Sequence, residues 1–198
     1  MISNSKSPHA RALKNHLLVA AAALLALQAT AAALPPAAQW IPKNAVIAIQ
    51  VDKPKALLDL FTGKDATEAI TELPTYKEIM ARPQSQELIN LIGFIEGTLE
   101  TDWRTALAKI TGGGVTFAVC PDDIVLLIID AEDEAMLKKA HEFFLNMARN
   151  NGKAGEAASV NDLTAWTFDG KEVHTIIGNR FISASKPEGL KKVLELRA

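Results

Sequence analysis

The chain has 198 residues, of which 48% are hydrophobic and 22% are charged, and its formal net charge at pH 7 is −2. A chain of this size and apolar content can bury the core of one domain. Nucleic acids and anionic membranes attract clustered Lys and Arg, and the sequence has no such cluster, so its weakly acidic balance argues against both as main partners.

The first 33 residues have the pattern of a secretory signal peptide. An unbroken apolar run, Leu17 to Leu27, follows Arg11 and Lys14 and precedes small-residue sites that allow cleavage after Ala31 or Ala33. We therefore predict a leader over residues 1–33, a periplasmic or secreted location, and a single domain over residues 34–198. The alternative is an uncleaved anchor, because residues 17–38 carry no charge and reach the roughly 20 residues of a spanning helix.

Removing this leader changes the charge of what remains. It takes away three of the 21 basic residues and none of the 23 acidic ones, which leaves a net charge of about −5. Cys120 is the only cysteine, so an intramolecular disulfide is impossible and stability has to come from packing.

The first half of the domain is predicted to be mainly helical. Val46–Val51 has the composition of a strand, and Asp52 with Pro54 begins a helix that carries Leu57, Leu58 and Phe61. Several short helices should follow. Ser85 is the expected N-cap of a helix with an apolar stripe over residues 88–95, and Thr101 that of a helix holding Trp103, Leu107 and Ile110.

The middle of the chain predicts a β-hairpin followed by a helix. Val115–Cys120 and Ile124–Asp130 are separated by a Pro-Asp-Asp turn, and Ile124–Ile129 is apolar without alternation, as in a central strand covered on both faces. The acidic residues 130–134 then open a helix that ends at Asn151-Gly152. Its expected buried face consists of Met136, Ala140, Phe143, Phe144 and Met147.

The last part predicts three more strands and a helix. After a polar loop, Lys153 to Asp162, the strands Thr164–Phe168, Lys171–Ile177 and Arg180–Ser185 are separated by Asp-Gly and Gly-Asn turns. A capping box at residues 185–188 then opens a helix with Leu190, Val193 and Leu194 on its inner side. The resulting fold class is α+β, with a largely antiparallel sheet, helices on at least one of its faces and a helical N-terminal half.

Two further patterns concern the organisation of the domain. Its two hairpin-plus-helix units show a weak similarity at an offset of 53 residues, since Leu137-Lys138-Lys139 matches Leu190-Lys191-Lys192. Either a ββα duplication or shared strand and cap chemistry alone would produce this similarity. The last helix reaches Ala198 without a stop signal, so we expect the chain to be a truncated member of a longer architecture.

Three segments resemble a known group of proteins. Residues 40–46 (WIPKNAV) resemble a P-x-(D/N)-(T/A)-V opening, residues 111–118 (TGGGVTFA) a helix-Gly-Gly-strand step, and residues 177–185 (IGNRFISAS) a G-(D/N)-R strand motif. These motifs occur in large uncharacterised bacterial exported proteins with domains of unknown function. The resemblance spans most of residues 40–196, implies a longer parent chain, and brings no catalytic residues.

Glycine-rich and acidic segments are predicted to be structural. Gly112–Gly114 runs from helix to strand, the reverse of a phosphate loop, and lacks the Lys-Ser/Thr ending, so it predicts a flexible joint. Asp130, Glu132, Asp133 and Glu134 lie where negative charge favours a helix N-terminus, and the EF-hand spacing is absent. Asp122 and Asp123 are typical of a turn.

The remaining candidates for chemistry are few. His141, on the polar side of its predicted helix, and His174, inside a strand, are too separated to predict a zinc site. His174 with Ser183 or Ser185 would imitate a base and nucleophile, although neither serine lies in a nucleophile elbow. Cys120 is either a small buried residue at a strand end, a reactive thiol or an intermolecular disulfide partner. We predict no catalytic, cofactor-binding or metal-binding residue, and no cofactor.

The function that follows is a non-enzymatic extracytoplasmic domain that binds or assembles with an unknown protein or envelope component. The alternative is a hydrolase-like secreted enzyme that uses His174 or Cys120.

Overall fold

The computed structural model describes residues 34–153, 155–160 and 162–197, so the predicted leader lies outside the described residues. A short 3-10 turn, Ala37–Trp40, precedes the regular elements. The helices are α1 (Pro54–Thr62), α2 (Lys64–Thr71), α3 (Pro74–Met80), α4 (Pro83–Leu99), α5 (Trp103–Thr111), α6 (Glu134–Asn150) and α7 (Pro187–Glu195). The strands are β1 (Ile47–Val51), β2 (Gly114–Cys120), β3 (Ile124–Asp130), β4 (Gly155–Val160), β5 (Leu163–Thr167), β6 (Val173–Ile177) and β7 (Arg180–Ala184). The predicted α+β class and the helical N-terminal half are confirmed.

All seven strands form one antiparallel sheet in the order β1-β2-β3-β7-β6-β5-β4. The predicted central strand β3 pairs with β2 on one side and β7 on the other, where Leu126 lies opposite Ala184 and Ile128 opposite Ile182. The β2–β3 turn has positive φ at both Asp122 (66°) and Asp123 (58°). Short polar side chains tolerate this left-handed conformation, as the turn prediction requires.

Helices pack on both faces of the sheet, because successive strand residues point to opposite sides. On one side, the α7 face, Leu126, Ile128 and Ile182 are fully buried together with Leu190 and Val193 of α7. Helices α5 and α6 lie on the other side, the α6 face. This second cover is incomplete, since Val125 of β3 remains 37% exposed. The prediction that β3 is covered along both faces is therefore wrong at this end of the strand.

A buried ion pair joins the N-terminal turn to the sheet. Arg180 lies opposite Asp130 in the β3–β7 register, and its Nε and Nη2 donate to the two carboxylate oxygens at 2.5 and 2.9 Å. The guanidinium lies 4.6 Å from the ring centroid of Trp40, which is fully buried. Such a cation–π contact fixes the 3-10 turn against the α7 face.

Two serine caps predicted from the sequence are wrong because a proline fixes each helix start. Pro83 and Pro187 occupy the first turns of α4 and α7. The fixed φ of proline suits a helix, and its missing N–H costs nothing there because the first backbone N–H groups of a helix have no intrahelical acceptor. Ser85 therefore lies inside α4. Ser185 precedes α7 without capping it, and its hydroxyl accepts a hydrogen bond from Val125 N–H at 2.9 Å.

Two further boundaries differ from the sequence prediction. The N-cap of α5 is Asp102 rather than Thr101, and its carboxylate accepts a hydrogen bond from Thr105 N–H. The supposed loop over residues 153–162 contains β4, which pairs with β5 across a bulge between residues 156 and 158. A short edge strand of small residues lacks the alternating pattern by which strands are recognised.

The triple glycine joins α5 to β2 by close packing. A Cβ on Gly113 would lie 2.7 Å from the carbonyl oxygen of Asp130, and one on Gly112 would lie 2.7 Å from that of Ala108. Only glycine permits this approach without a shift of the backbone. The segment runs from helix to strand, as predicted, so the helical N–H groups of a phosphate loop are not available there.

Candidate functional site

The two histidines of the described residues meet in the interior. Nε2 of His141 on α6 lies 3.0 Å from Nε2 of His174 on β6, and the side chains are 8% and 0% exposed. The predictions that His141 lies on the polar side of its helix and that the two histidines are far apart are wrong. Helix α6 is rotated from the predicted orientation, so that its buried residues are Leu137, Ala140, His141 and Leu145.

Aromatic rings enclose this histidine pair. His174 stacks on Phe168 with centroids 4.2 Å apart and lies 5.2 Å from Phe181. The ring of His141 meets Trp166 edge-on at 5.0 Å. These rings remove the solvent that would stabilise a charged imidazole.

Burial sets the protonation of the pair. It lowers the pKa of His174 to about 4, helped by the nearby His141, and it lowers the pKa of His141 as well. Glu172 Oε1 lies 3.3 Å from His174 Nδ1 and accepts the backbone N–H of Phe168. Burial raises the pKa of Glu172. Both imidazoles are therefore neutral at pH 7.

Two pockets border the pair. A polar cleft of about 400 Å³ runs along α6, between Lys138, Glu142 and Arg149 on the helix and Trp166 on the sheet. An apolar pocket of about 140 Å³ lies beneath the helix and is lined by Ile110, Ile129, Leu137, Phe144, Phe168 and Phe181. His141 lines both pockets.

The residues proposed for hydrolysis do not assemble into a catalytic group. Ser183 is the register partner of His174, but the hydrogen bond described for the His174 ring is with His141. Ser185 is bound to the β2–β3 turn through Val125 and Asp123. Cys120 is buried at the end of β2, and burial raises the pKa of its thiol, which favours the inert protonated form.

The acidic residues before α6 have structural partners. Asp133 caps the helix by accepting Met136 N–H at 3.0 Å, and Glu134 pairs with Lys138 at 2.6 Å. Asp130 instead forms the buried pair with Arg180. Within the described part of the chain, no three His, Cys, Asp or Glu side chains gather as metal ligands.

Exposed apolar side chains are concentrated in residues 46–98, which we call the β1–α4 segment. None of its described side chains is buried. Among the described residues, 17 large hydrophobic side chains are exposed, and 12 of them belong to this segment. They are Val46, Ile47, Ile49, Leu57, Leu60, Ile70, Leu73, Ile79, Leu88, Ile89, Leu91 and Phe94. Soluble monomers expose single apolar residues freely but seldom expose this many together along one segment.

Packing explains why the segment remains uncovered. Helix α4 is docked through its C-terminal part, where Leu99 joins Ala106 of α5 and Ala140 of α6 in a buried cluster and Ile95 packs against it. Its earlier turns lie outside this contact, with Leu88 55% and Leu91 42% exposed. The α2 and α3 helices lie against their neighbours in the chain.

The segment also has an acidic balance. It contains eight Asp and Glu residues against five Lys and Arg, and α4 carries Glu87 and Glu96 without any basic residue. The segment therefore has a net charge of about −3.

Comparison of the chain with protein-family models, curated proteins and solved structures finds no match. No helix in the described ranges has the length and hydrophobicity needed to cross a bilayer.

Proposed function

We propose that the chain is a non-enzymatic extracytoplasmic assembly domain that binds a protein partner through the apolar surface of its β1–α4 segment. The location rests on the leader pattern of residues 1–33. The relation to the exported proteins it resembles remains part of this proposal.

The observation that carries the proposal is the exposure of the β1–α4 segment. Twelve large apolar side chains of the segment are 42–71% exposed, and they include Leu88, Ile89 and Leu91 of α4. Apolar area removed from water contributes about 25 cal/mol per Å², so covering even part of this surface would drive association.

The net negative charge of the segment indicates which kind of partner would bind it. The acidic balance of the segment disfavours a second copy of the same surface and an anionic lipid headgroup, since each would bring like charges together. The complementary partner is a protein with an apolar face bordered by Lys and Arg.

Nothing in the histidine pair favours the hydrolase alternative. His174 is fully enclosed, and Cys120 is buried and protonated. A catalytic base has to reach the proton it abstracts, and the side chain of His174 has no exposed surface from which to do so.

Site-specific photo-cross-linking tests this function. A photoreactive residue is placed at Leu91 or Phe94 of the full chain, in its native compartment, and at Lys191 on the exposed side of α7 as the matched control. We expect one partner protein to be cross-linked from Leu91 and Phe94 and not from Lys191, and Leu91→Glu to abolish the adduct formed from Phe94.

Equal adducts from all three positions would indicate unspecific contact and contradict the proposal. A homodimeric adduct would identify the second copy instead. Recovery of the chain free of adducts would mean that the surface is unoccupied in its native compartment.

A further inference from the structure

The α6 helix is held on the sheet by an unusual polar contact. Among the described residues, the His141–His174 pair is the side-chain hydrogen bond that joins α6 to the strands. Aromatic rings pack on both imidazoles, and the Glu172 carboxylate lies 3.3 Å from His174 Nδ1. The comparable helix α7 is attached to the opposite face through Leu190, Val193 and Leu194, and it has no histidine.

The geometry of the pair limits the protons it can hold. At a separation of 3.0 Å, one Nε2 has to carry a hydrogen and the other has to present its lone pair. A first added proton can occupy the opposite ring nitrogen, Nδ1, but places a charge among Phe168, Trp166 and Phe181. A second added proton would have to bind the remaining Nε2 lone pair, and two N–H groups would then point at each other. The docked helix therefore holds at most one extra proton, whereas two solvated imidazoles hold two.

Charged groups around the pair have small or opposing effects. On α6, Glu142 favours the protonated form of His141 and Arg149 disfavours it, while Lys138 pairs with Glu134. In the β5–β6 turn, Glu172 lies beside His174 Nδ1, Asp169 accepts backbone N–H groups and Lys171 is exposed. On α5, Lys109 pairs with Asp133. The neighbouring strands present Trp166, Ile176 and Phe181, which carry no charge.

We propose that the His141–His174 contact is an acid-operated latch that holds α6 on the sheet at neutral pH and releases it when the imidazoles take up protons. Release uncovers the apolar pocket under the helix, which includes Ile129, Leu137 and Phe181. This device does not depend on the function proposed for the β1–α4 surface.

The sign of the effect follows from proton binding. Both imidazoles have their pKa lowered in the docked state, so the released state binds more protons below about pH 6.5. Docking is fully favoured above that pH and weakens as the pH falls toward 4. Glu172 acts in the opposite direction, because a raised pKa favours the docked state in acid.

Hydrogen exchange of the full chain at pH 7, 6 and 5, corrected for the chemical exchange rate, measures the latch. We expect the protection of α6 amides to fall by about 10- to 100-fold per pH unit below 6.5, for one or two protons, while α7 amides keep their protection. The double variant His141→Leu/His174→Phe should remove this pH dependence, and Glu172→Gln should retain it.

Equal loss of protection in α6 and α7 would mean global acid unfolding and would overturn the latch, as would an unchanged pH dependence in the double variant. NMR titration of the imidazole Hε1 signals in the wild-type protein gives a second measurement in case the double variant does not fold. Two of the signals should titrate below pH 6.5, and ordinary titration of all of them would refute the proposal.

Discussion

Residues 46–98 and residues 99–197 have similar apolar content but differ in how much of it is buried. In the β1–α4 segment, Leu88, Ile89 and Phe94 remain exposed, whereas Leu126, Ile182 and Leu190 in the second region are fully buried. The difference lies in topology: strands β2, β3, β7 and β6 form a surface that α6 and α7 cover from two sides. The helices of the β1–α4 segment have each other, α5 and α6 as their main neighbours.

This comparison shows that an apolar stripe identifies a surface to be covered without identifying what covers it. The stripe at residues 88–95 of α4 is as clear in the sequence as the inner side of α7. Only α7 has the sheet beneath it. Substitutions in matched pairs, one in each region, test whether the two regions differ as described.

The largest difference is expected between two ion pairs. Arg180→Ala leaves Asp130 without its partner, and breaking a buried pair in this way costs about 3–5 kcal/mol of unfolding free energy. Lys55→Ala removes the exposed Lys55–Asp59 pair of α1 and should leave the free energy of unfolding nearly unchanged, because water and salt screen such a pair. Urea denaturation measures both. Comparable values for the two variants would contradict the burial of Arg180.

Core truncation gives the next largest difference. Ile182→Ala opens a cavity between β7 and α7 and should cost about 3 kcal/mol, because Ile182 is fully buried. Leu88→Ala, at 55% exposure, should cost less than about 0.5 kcal/mol in the isolated chain. A large loss in Leu88→Ala would show that α4 is already covered.

Substitution of two helical glycines by alanine should change the free energy of unfolding in opposite directions. A Cβ on Gly189 of α7 would lie 2.6 Å from Ile124 Cγ2 and 3.1 Å from Ala184 Cβ, so Gly189→Ala should destabilise by about 1–3 kcal/mol. Gly97 of α4 has no atom within 4 Å of such a Cβ, and Gly97→Ala should stabilise by about 0.5–1 kcal/mol. Thermal denaturation of both variants decides this; destabilisation by Gly97→Ala would reveal a neighbour on that side of α4.

The contact between the regions gives the smallest effect. Phe143 of α6 is half-buried against Phe94 of α4 and Phe144, with centroids 5.8 and 5.2 Å apart. Phe143→Ala should cost about 1–2 kcal/mol, roughly half the loss for a fully buried ring, and exposed Glu142→Ala should cost little. If the two variants have equal unfolding free energies, Phe143 does not hold α4.

The regular elements could be predicted from local sequence because their signals are local. Turns at Asp122-Asp123 and at Gly178 have the positive φ that these residues tolerate, and Asp133 caps α6 as its acidic environment indicated. Strand β4 was missed because an edge strand of small residues has no alternating pattern.

The histidine pair could not be predicted, because it depends on how α6 is rotated over the sheet. The stripe of Met136, Ala140, Phe143 and Phe144 predicted one buried face, but the helix presents Leu137 and His141 to the strands. Local spacing cannot select between two overlapping faces. The aromatic residues on or next to the neighbouring strands, among them Phe168, were the only sequence feature that pointed to a buried His174.

The central claim, that residues 99–197 contain most of the buried core and the β1–α4 segment contains none of it, is tested most directly by hydrogen exchange along the whole chain at pH 7. We expect the amides of β2, β3, β7 and α7 to exchange at the rate of global unfolding, and those of α2, α3 and the first turns of α4 to exchange orders of magnitude faster. Uniform protection from α2 to α7 would contradict this account.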